Sequence, residues 1–569
     1  MRDKPRNLES DPIQSGMTGD VSMLADSCKI LLVYPQFQPP SYWNLKATCH
    51  SVGARHLAPP LGLLTVAALL PRTWDLRLID CNVEPLTDAD IDAADLVMTG
   101  GMYMQQRDTL DIIDRCHRLG KLVAVGGPAV TSSPHIYGRA DFQVRGEAET
   151  VIQQFIEAWT SGARSGVFEA EKFTADVTQT PIPRFDLLRY RDYLFINVQF
   201  SRGCPFTCEF CDIIELYGRR PRTKTNAQML AELDALYQSG YRGHVDFVDD
   251  NLIGNKKAVK QFLPALIAWQ KAHRFPFEFT TEASVNLSDD DELLGMMRDA
   301  NFFGIFVGIE SPDPETLVLM QKKQNTRRDL VSSIHKINDA GLFVIAGFIL
   351  GFDSEKGSVA KPMIDYIEAS GIPACIISLL YALPNTQLAR RLRKEGRLYV
   401  DYENAVEKDM IDTLAAGPNF VTARPRRDIL VDYVRVLRAI YTPAAFFART
   451  RRLGRRLDRP MNGLLSRDSL KRDLSKLAHF FWYLRCEQPS MILPFIRLIA
   501  HLAWHNPKAI KHTLVAAGMY LHLGPFSQSL IRQIEDQIAE IDRDEWKAPA
   551  VAPAVASPAR PAVAATAAA

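Results

Sequence analysis

Three cysteines fall within eight residues in the segment Ser201-Arg-Gly-Cys204-Pro-Phe-Thr-Cys208-Glu-Phe-Cys211. The chain has only nine cysteines in 569 residues, too few for a disulfide scaffold and in keeping with a reducing compartment. Thiols clustered in such a chain are metal ligands or reactive groups. Structural zinc normally takes four protein ligands in a closed tetrahedron, but the next histidine is His244 and the next cysteine Cys375. An open fourth position follows, as in a [4Fe–4S] cluster with three cysteine-ligated irons and one iron free for a substrate or cofactor. Spacing taken by itself leaves zinc as the alternative.

The elements that must hold this motif are strands and helices in alternation. The motif follows the strand candidate Phe195–Phe200. Further candidates come at His244–Val248, Glu278–Thr281, Gly304–Gly308, Phe343–Ile349 and Ala374–Leu380, separated by helical stretches such as Ala227–Ser239 and Asp289–Ala300. Six β/α repeats predict a partial or full TIM-like barrel over 195–398, with its chemistry at the strand C-termini. An earlier alternation over 29–159 predicts a doubly wound parallel sheet with strands at Lys29–Tyr34, Leu76–Asp80, Leu96–Thr99, Leu122–Val125 and Phe142–Val144. Several of these strands end on glycine: Thr99-Gly100-Gly101, Gly126-Gly127-Pro128 and Gly146-Glu147. Glycine there permits close approach of a ligand, or simply makes a turn.

A polar stretch with Pro181 and Pro183 predicts a linker over 160–194, and residues 1–28 read as an N-terminal extension. Beyond Leu398 the strand signal fades into helices over 399–547. Residues 548–569, with 12 Ala and 4 Pro, predict a disordered tail. The 67 Lys+Arg against 66 Asp+Glu exclude a chain that binds nucleic acid through overall charge. With neither a signal-peptide pattern nor a run of 18 apolar residues, the expected location is cytoplasmic. One local asymmetry stands out: Arg449, Arg451, Arg452, Arg455 and Arg456, followed by the aromatic run Phe480-Phe481-Trp482-Tyr483. Basic residues beside amphipathic helices read first as a solvated face, with peripheral contact with an anionic inner membrane as the alternative.

The Cys-x3-Cys-x2-Cys motif, its place after the first barrel strand and Phe210 before the third cysteine resemble the radical S-adenosylmethionine (SAM) superfamily. The resemblance implies that Cys204, Cys208 and Cys211 hold a [4Fe–4S] cluster whose free iron chelates SAM, and that electron transfer cleaves SAM to a 5′-deoxyadenosyl radical. Phe210 then packs near the adenine, or serves as a core aromatic. Later strand ends offer SAM contacts at Asp249, Glu282, Ser284, Glu310 and Gly347. Asp249-Asp250-Asn251 stands where the family often has Gly-Gly-Glu, and Glu310 is the foremost polar candidate, with a structural cap or ion pair as its alternative. Pro384-Asn385-Thr386 reads mainly as structural.

A Rossmann-like domain ahead of such a barrel resembles the cobalamin-binding class of that superfamily. The resemblance spans about Lys29 to Leu398 and places Thr99, Gly100, Gly126 and Gly127 along the cobalamin tail. The Asp-x-His-x-x-Gly signature is missing, its place taken by Asp80-Cys81-Asn82-Val83-Glu84-Pro85. The stretch Cys211 to Lys224 and the helical extension resemble the subgroup of hopanoid C-2 methylases, with bacteriochlorophyll side-chain methyltransferases as relatives. In it, Arg219, Arg220, Arg222 and Lys224 meet SAM, a cobalamin phosphate or solvent. The implied reaction is C-methylation of a small-molecule or lipid substrate, with an electron donor such as flavodoxin or ferredoxin. Rival readings are a methylthiotransferase, with a second cluster on Cys49, Cys81 and Cys116, and a non-catalytic cobalamin or lipid carrier.

Overall fold

The computed structural model describes residues 27–37, 41–42, 44–404, 417–459 and 467–553. All but the last two residues of the expected N-terminal extension, and residues 554–569 of the expected tail, lie outside that set.

The first domain is built on runs such as Lys-Ile-Leu-Leu-Val-Tyr, whose apolar residues point to both faces and so need cover on both. Strands β1 (Lys29–Tyr34), β2 (Asp75–Asp80), β3 (Leu96–Gly100), β4 (Leu122–Gly126), β5 (Phe142–Arg145) and β6 (Gly166–Glu169) form one parallel sheet in the order β2-β1-β3-β4-β5-β6. Ile30, Leu32, Leu96 and Met98 pack on one side, and Leu31, Val33, Val97 and Val123 on the other. The strand order reverses between β1 and β3, the place where such sheets open a crevice for ligands. Strand β6 lies inside the stretch expected as a linker. It is a half-exposed edge strand, so it lacks the apolar run that marks its neighbours.

The second sheet contains β7 (Ile196–Val198), β10 (Gly243–Phe247), β11 (Phe277–Glu282), β12 (Phe302–Glu310), β13 (Phe343–Leu350) and β14 (Cys375–Leu379), adjacent in chain order and all parallel. Between β7 and β10 come the two-residue strands β8 (Ser201–Arg202) and β9 (Arg222–Thr223), paired antiparallel. Strands β7 and β14 do not pair with each other, so the barrel is partial.

The C-terminal helices close its flank and base. Helix Arg426–Ile440 lies beside β14, and the hydroxyls of Tyr433 and Tyr441 donate to the carbonyls of Ile377 and Cys375. At the base, His512 meets Glu278 at 3.0 Å, while Arg459 donates to Asn301 and to the carbonyl of Phe302. The first residues of the expected tail run back beside the barrel: Val400 donates to Ala550 at 2.9 Å and Ala552 to Leu398 at 2.7 Å. Among the described residues no helix is long and apolar enough to cross a membrane.

Candidate active site

The cysteine loop leaves the barrel after β7 and is pinched at its neck by the β8/β9 pair. At the neck Gly203 has φ +98°, and a Cβ there would stand 3.0–3.1 Å from the carbonyls of Gly218, Arg220 and Tyr217, so only glycine fits. The segment after β10 clamps the loop from below. Asp249 accepts from the amides of Phe200 (2.8 Å) and Ser201 (2.7 Å) and from the Ser201 hydroxyl (2.5 Å), and Asp250 accepts from Gly203 at 2.6 Å. Both Asp249 oxygens are thus engaged by the strand that launches the loop.

From the side, the first domain grips the same neck. Arg202 reaches Glu147 (2.8 Å) and Glu149 (2.9 Å), and Arg222 reaches Glu147 at 2.9 Å, all largely out of solvent. Of the four basic residues read as meeting either a ligand or solvent, Arg222 is spent here and Lys224 pairs with buried Glu232, whereas Arg219 and Arg220 face solvent.

All nine cysteines are free thiols. Cys208 is buried and Cys204 and Cys211 half-buried. Burial pushes the Cys204 thiol up and holds that of Cys211 well above the ordinary thiol range, where each loaded iron would have to drive deprotonation. The three sulfurs feel one another electrostatically. Yet among the described residues no three His, Cys, Asp or Glu side chains close around a single ion-sized position. Three thiols with no fourth protein ligand beside them suit a cluster that keeps one iron open rather than a closed zinc tetrahedron.

Around them stand groups that sequence reasoning missed. The Gln324 amide lies 3.7 Å from the Cys208 sulfur as a donor, and the Lys322 ammonium is in electrostatic reach of Cys208 and Cys211. Lys322 follows Glu310 by twelve positions, beyond the short helix Pro314–Leu319, a separation with no periodic signal.

Glu310, Gly347 and Phe210 come together beside the cysteines. Glu310 ends β12 at φ +65° after a register shift and pairs with Lys322 at 2.6 Å. Gly308 makes room for this pair: a Cβ there would lie 2.2 Å from the Glu310 carboxylate and 2.7 Å from the Lys322 ammonium. A Cβ on Gly347 would meet the Phe306 ring at 3.1 Å and the other Glu310 oxygen at 3.8 Å. Phe210 packs edge-on against Phe352, with the Lys322 ammonium 5.9 Å from its ring centre.

Glu282 and Ser284 form a second group with the aspartates. Ser284 bonds to Asn251 and Asn286. One Glu282 oxygen is buried with no hydrogen-bond partner, and burial first, then neighbouring Asp246, Asp249 and Asp250, holds its carboxyl well above the usual range. Burial likewise pushes Asp249 up to about 7 and Asp246 and Asp250 to about 6. Asn385, of the Pro-Asn-Thr segment, donates across the domain boundary to the Ser132 carbonyl at 2.6 Å, and Thr386 caps the helix Gln387–Lys394.

The strand ends of the first domain face this assembly. Gly100 and Gly126 are register partners, and a Cβ on Gly100 would meet the Gly126 carbonyl at 2.3 Å. Gly127, at φ +92°, begins the turn into Pro128–Ser132. Thr99, at the switch point of the sheet, carries a buried hydroxyl without a partner. Around these residues the domains touch directly: Tyr103 and Tyr381 share a 2.9 Å hydrogen bond, and Ser133 donates to Glu403 at 2.7 Å. The strand ends with their glycines and orphaned hydroxyl thus lie on the domain whose Glu147 and Glu149 hold the neck of the thiol loop.

The chain matches the Radical SAM superfamily over residues 198–367 and a domain of unknown function, DUF4070, over residues 386–536. It is 40% identical over 514 residues to an uncharacterized methyltransferase of Synechocystis sp., covering 90% of this chain and 94% of that one. It is also 40% identical over 381 residues to the hopanoid C-2 methylase of Rhodopseudomonas palustris, covering 66% and 72% respectively. Among solved structures, the cobalamin-dependent SAM radical enzyme OxsB, with aqua-cobalamin and SAM bound, shares the fold at TM-score 0.56 and 15% identity, covering 92% of this chain and 82% of that one. The chain belongs to the radical SAM superfamily. Within it, it stands among the methyltransferases, beside the Synechocystis and Rhodopseudomonas proteins.

Proposed function

We propose that the protein is a cobalamin-dependent radical SAM enzyme that methylates an unactivated carbon, and that its substrate position is C-2 of a hopanoid lipid. The observation that carries the reading is the hold on the three-thiol loop by the domain that bears the glycine-rich strand ends. The 40% identity to a hopanoid C-2 methylase supports the substrate.

In this reading Cys204, Cys208 and Cys211 hold a [4Fe–4S] cluster, the Glu310/Lys322 pair and Gly347 border SAM, and Thr99, Gly100, Gly126 and Gly127 line the cobalamin. When bound, these groups supply the electron, the radical and the methyl group. The protein's part is to bring them together and shield them. The Asp249 and Asp250 clamps fix the loop, the Arg202 and Arg222 pairs fix the two domains around it, and the packed barrel excludes water. The rival second cluster is disfavoured: Cys81 and Cys116 pack in one core beside the first sheet, whereas Cys49 is buried in the helix Lys46–Ser51, which packs on the C-terminal helices. An electron donor of the flavodoxin or ferredoxin kind and a membrane-lipid substrate complete the proposal.

The test is expression in a hopanoid-producing host that lacks its own C-2 methylase. Hopanoids heavier by one methyl group on ring A are expected. Unchanged hopanoids with soluble, cofactor-loaded protein would move the substrate elsewhere, a bacteriochlorophyll side chain being the next to try. Single Cys→Ala variants at 204, 208 or 211 should lose iron and 5′-deoxyadenosine formation together.

A further inference from the structure

The arginine run is largely engaged within the molecule, although Arg452, Arg455 and Arg456 stay exposed. Arg449 is fully buried and donates to the carbonyls of Ile372 (2.8 Å) and Ile440 (2.6 Å) and to Glu368. Arg452 also binds Glu368, Arg456 binds Asp339, and Arg455 donates to His501. The unpartnered surface lies further along the chain, on two consecutive helices, Arg467–Glu487 and Ile492–His505.

In the second helix Phe495, Leu498 and Leu502 are buried. At 100° per residue, Leu493, Ile496, Ala500, Ala503 and Trp504 fall within about 120° on the opposite side, and all are exposed. Trp504 is 87% exposed, and Leu493 and Ile496 about half. A helix apolar on both sides belongs where both sides are covered. The first helix repeats the pattern. Phe480 and Leu484 are buried, Phe480 lying 4.8 Å from Phe495, while Leu474, Ala478 and Trp482 face out with Trp482 61% exposed.

Charge decides what covers them. Residues 467–518 hold eight Lys/Arg and three Asp/Glu. Lys471, Arg485, Arg497 and Lys508 are exposed and, among the described residues, join no ion pair, whereas Asp473 is already bound to Lys511. Arg497 falls within the apolar arc of its own helix, and Lys471 and Arg485 within that of the first. An apolar strip bearing two exposed indoles and interspersed cations is complementary to an anionic bilayer. The indoles suit the headgroup level, the aliphatic side chains the acyl boundary, and the cations the lipid phosphates.

We propose that the outward faces of these two helices form a docking surface for an anionic lipid bilayer, held by Trp482, Trp504, Leu493 and Ile496 and steered by Lys471, Arg485, Arg497 and Lys508. The proposal gains purpose from the lipid substrate proposed above, but vesicle binding is read without substrate, SAM or turnover, so the two stand or fall separately.

The full-length protein is to be sedimented with phosphatidylcholine vesicles and with vesicles containing phosphatidylglycerol, at low and high salt, following tryptophan emission. Partition to the anionic vesicles with a blue shift is expected, weakening with salt. The double variant Arg485→Glu/Arg497→Glu should bind them about tenfold more weakly or less. Trp482→Ala/Trp504→Ala should lose the blue shift and most of the binding while keeping the wild-type circular dichroism and melting temperature. No partition of the wild type at low salt, or equal partition of all three proteins, would overturn the proposal. So would a dimer seen by light scattering that Ile496→Glu dissociates while vesicle binding is absent, which would assign the face to a second copy of the chain.

Discussion

At the scale of single residues, the barrel mouth concentrates carboxyl groups that fold uncharged more readily than they would in water. Glu282 is the extreme case, with a buried oxygen that nothing satisfies and three aspartates nearby. Because its folded value is raised, the folded state holds the proton more tightly than the unfolded chain. The stability this supplies is complete below the ordinary glutamate value and is lost as pH rises through the raised one. Glu282→Gln carries the neutral form at every pH. Its melting temperature, measured without cofactors, should therefore gain on the wild type steadily as pH rises from about 5 to about 8. A difference that stays constant across that range would mean that Glu282 ionises freely. Asp249, pushed up to about 7 by burial, shifts in the same direction, although the three donors on its two oxygens work against that shift.

At the scale of elements, Gly100 and Thr99 separate two reasons for a residue at a strand end. A methyl at Gly100 would press on the carbonyl of the adjacent strand, which cannot yield. Gly100→Ala should thus cost about 1–3 kcal/mol and lower the melting temperature with or without cobalamin. Thr99→Val removes only an orphaned hydroxyl. It should leave the apo melting temperature unchanged or higher while reducing retained cobalamin, read from the corrinoid absorbance. Equal cobalamin retention in both proteins would release Thr99 from the site.

Both strand ends were legible in the sequence because buried parallel strands are continuous apolar runs that stop at glycine. The barrel strands were legible for the same reason, their ends shifting by one or two residues. Strand β6 was not, since a half-exposed edge strand lacks an apolar run and this one stands in a polar stretch ahead of Pro181 and Pro183. The pairing of Ala550 and Ala552 with Val400 and Leu398 was hidden as well, because an Ala/Pro stretch has no strand signature and its partner lies some 150 positions away. In the candidate site the cysteines were readable by spacing, and Glu310 by its place at a strand end. Lys322, Gln324 and Glu147 act through contacts between distant segments. The partners of the arginine run were hidden for the same reason: Glu368 and Asp339 sit on other elements.

At the scale of the whole molecule, the two domains are joined at the loop that carries the thiols. Arg202 ties that loop to Glu147 and Glu149 with little water present, so removing one partner leaves charge buried without compensation, at about 3–5 kcal/mol. Arg202→Ala should speed amide exchange through residues 199–223 and lower iron retention, whereas exposed Arg219→Ala should do neither. Matching behaviour of the two variants would make the pairs incidental.

The partial barrel has a further bearing on the molecule's history. A sheet that does not close leaves a bare strand at each side, and a bare strand is an invitation to other chains. Here the tyrosine hydroxyls of helix Arg426–Ile440 and the residue after it answer the carbonyls along β14, while Asn197 of β7 donates to the Pro59 carbonyl and Leu194, just before that strand, to the His56 carbonyl. One bare edge is thus covered by the C-terminal helices and the other by residues 56–59. Because the cover on β14 follows the barrel in the chain, a protein cut short after the barrel should aggregate more readily than the whole one.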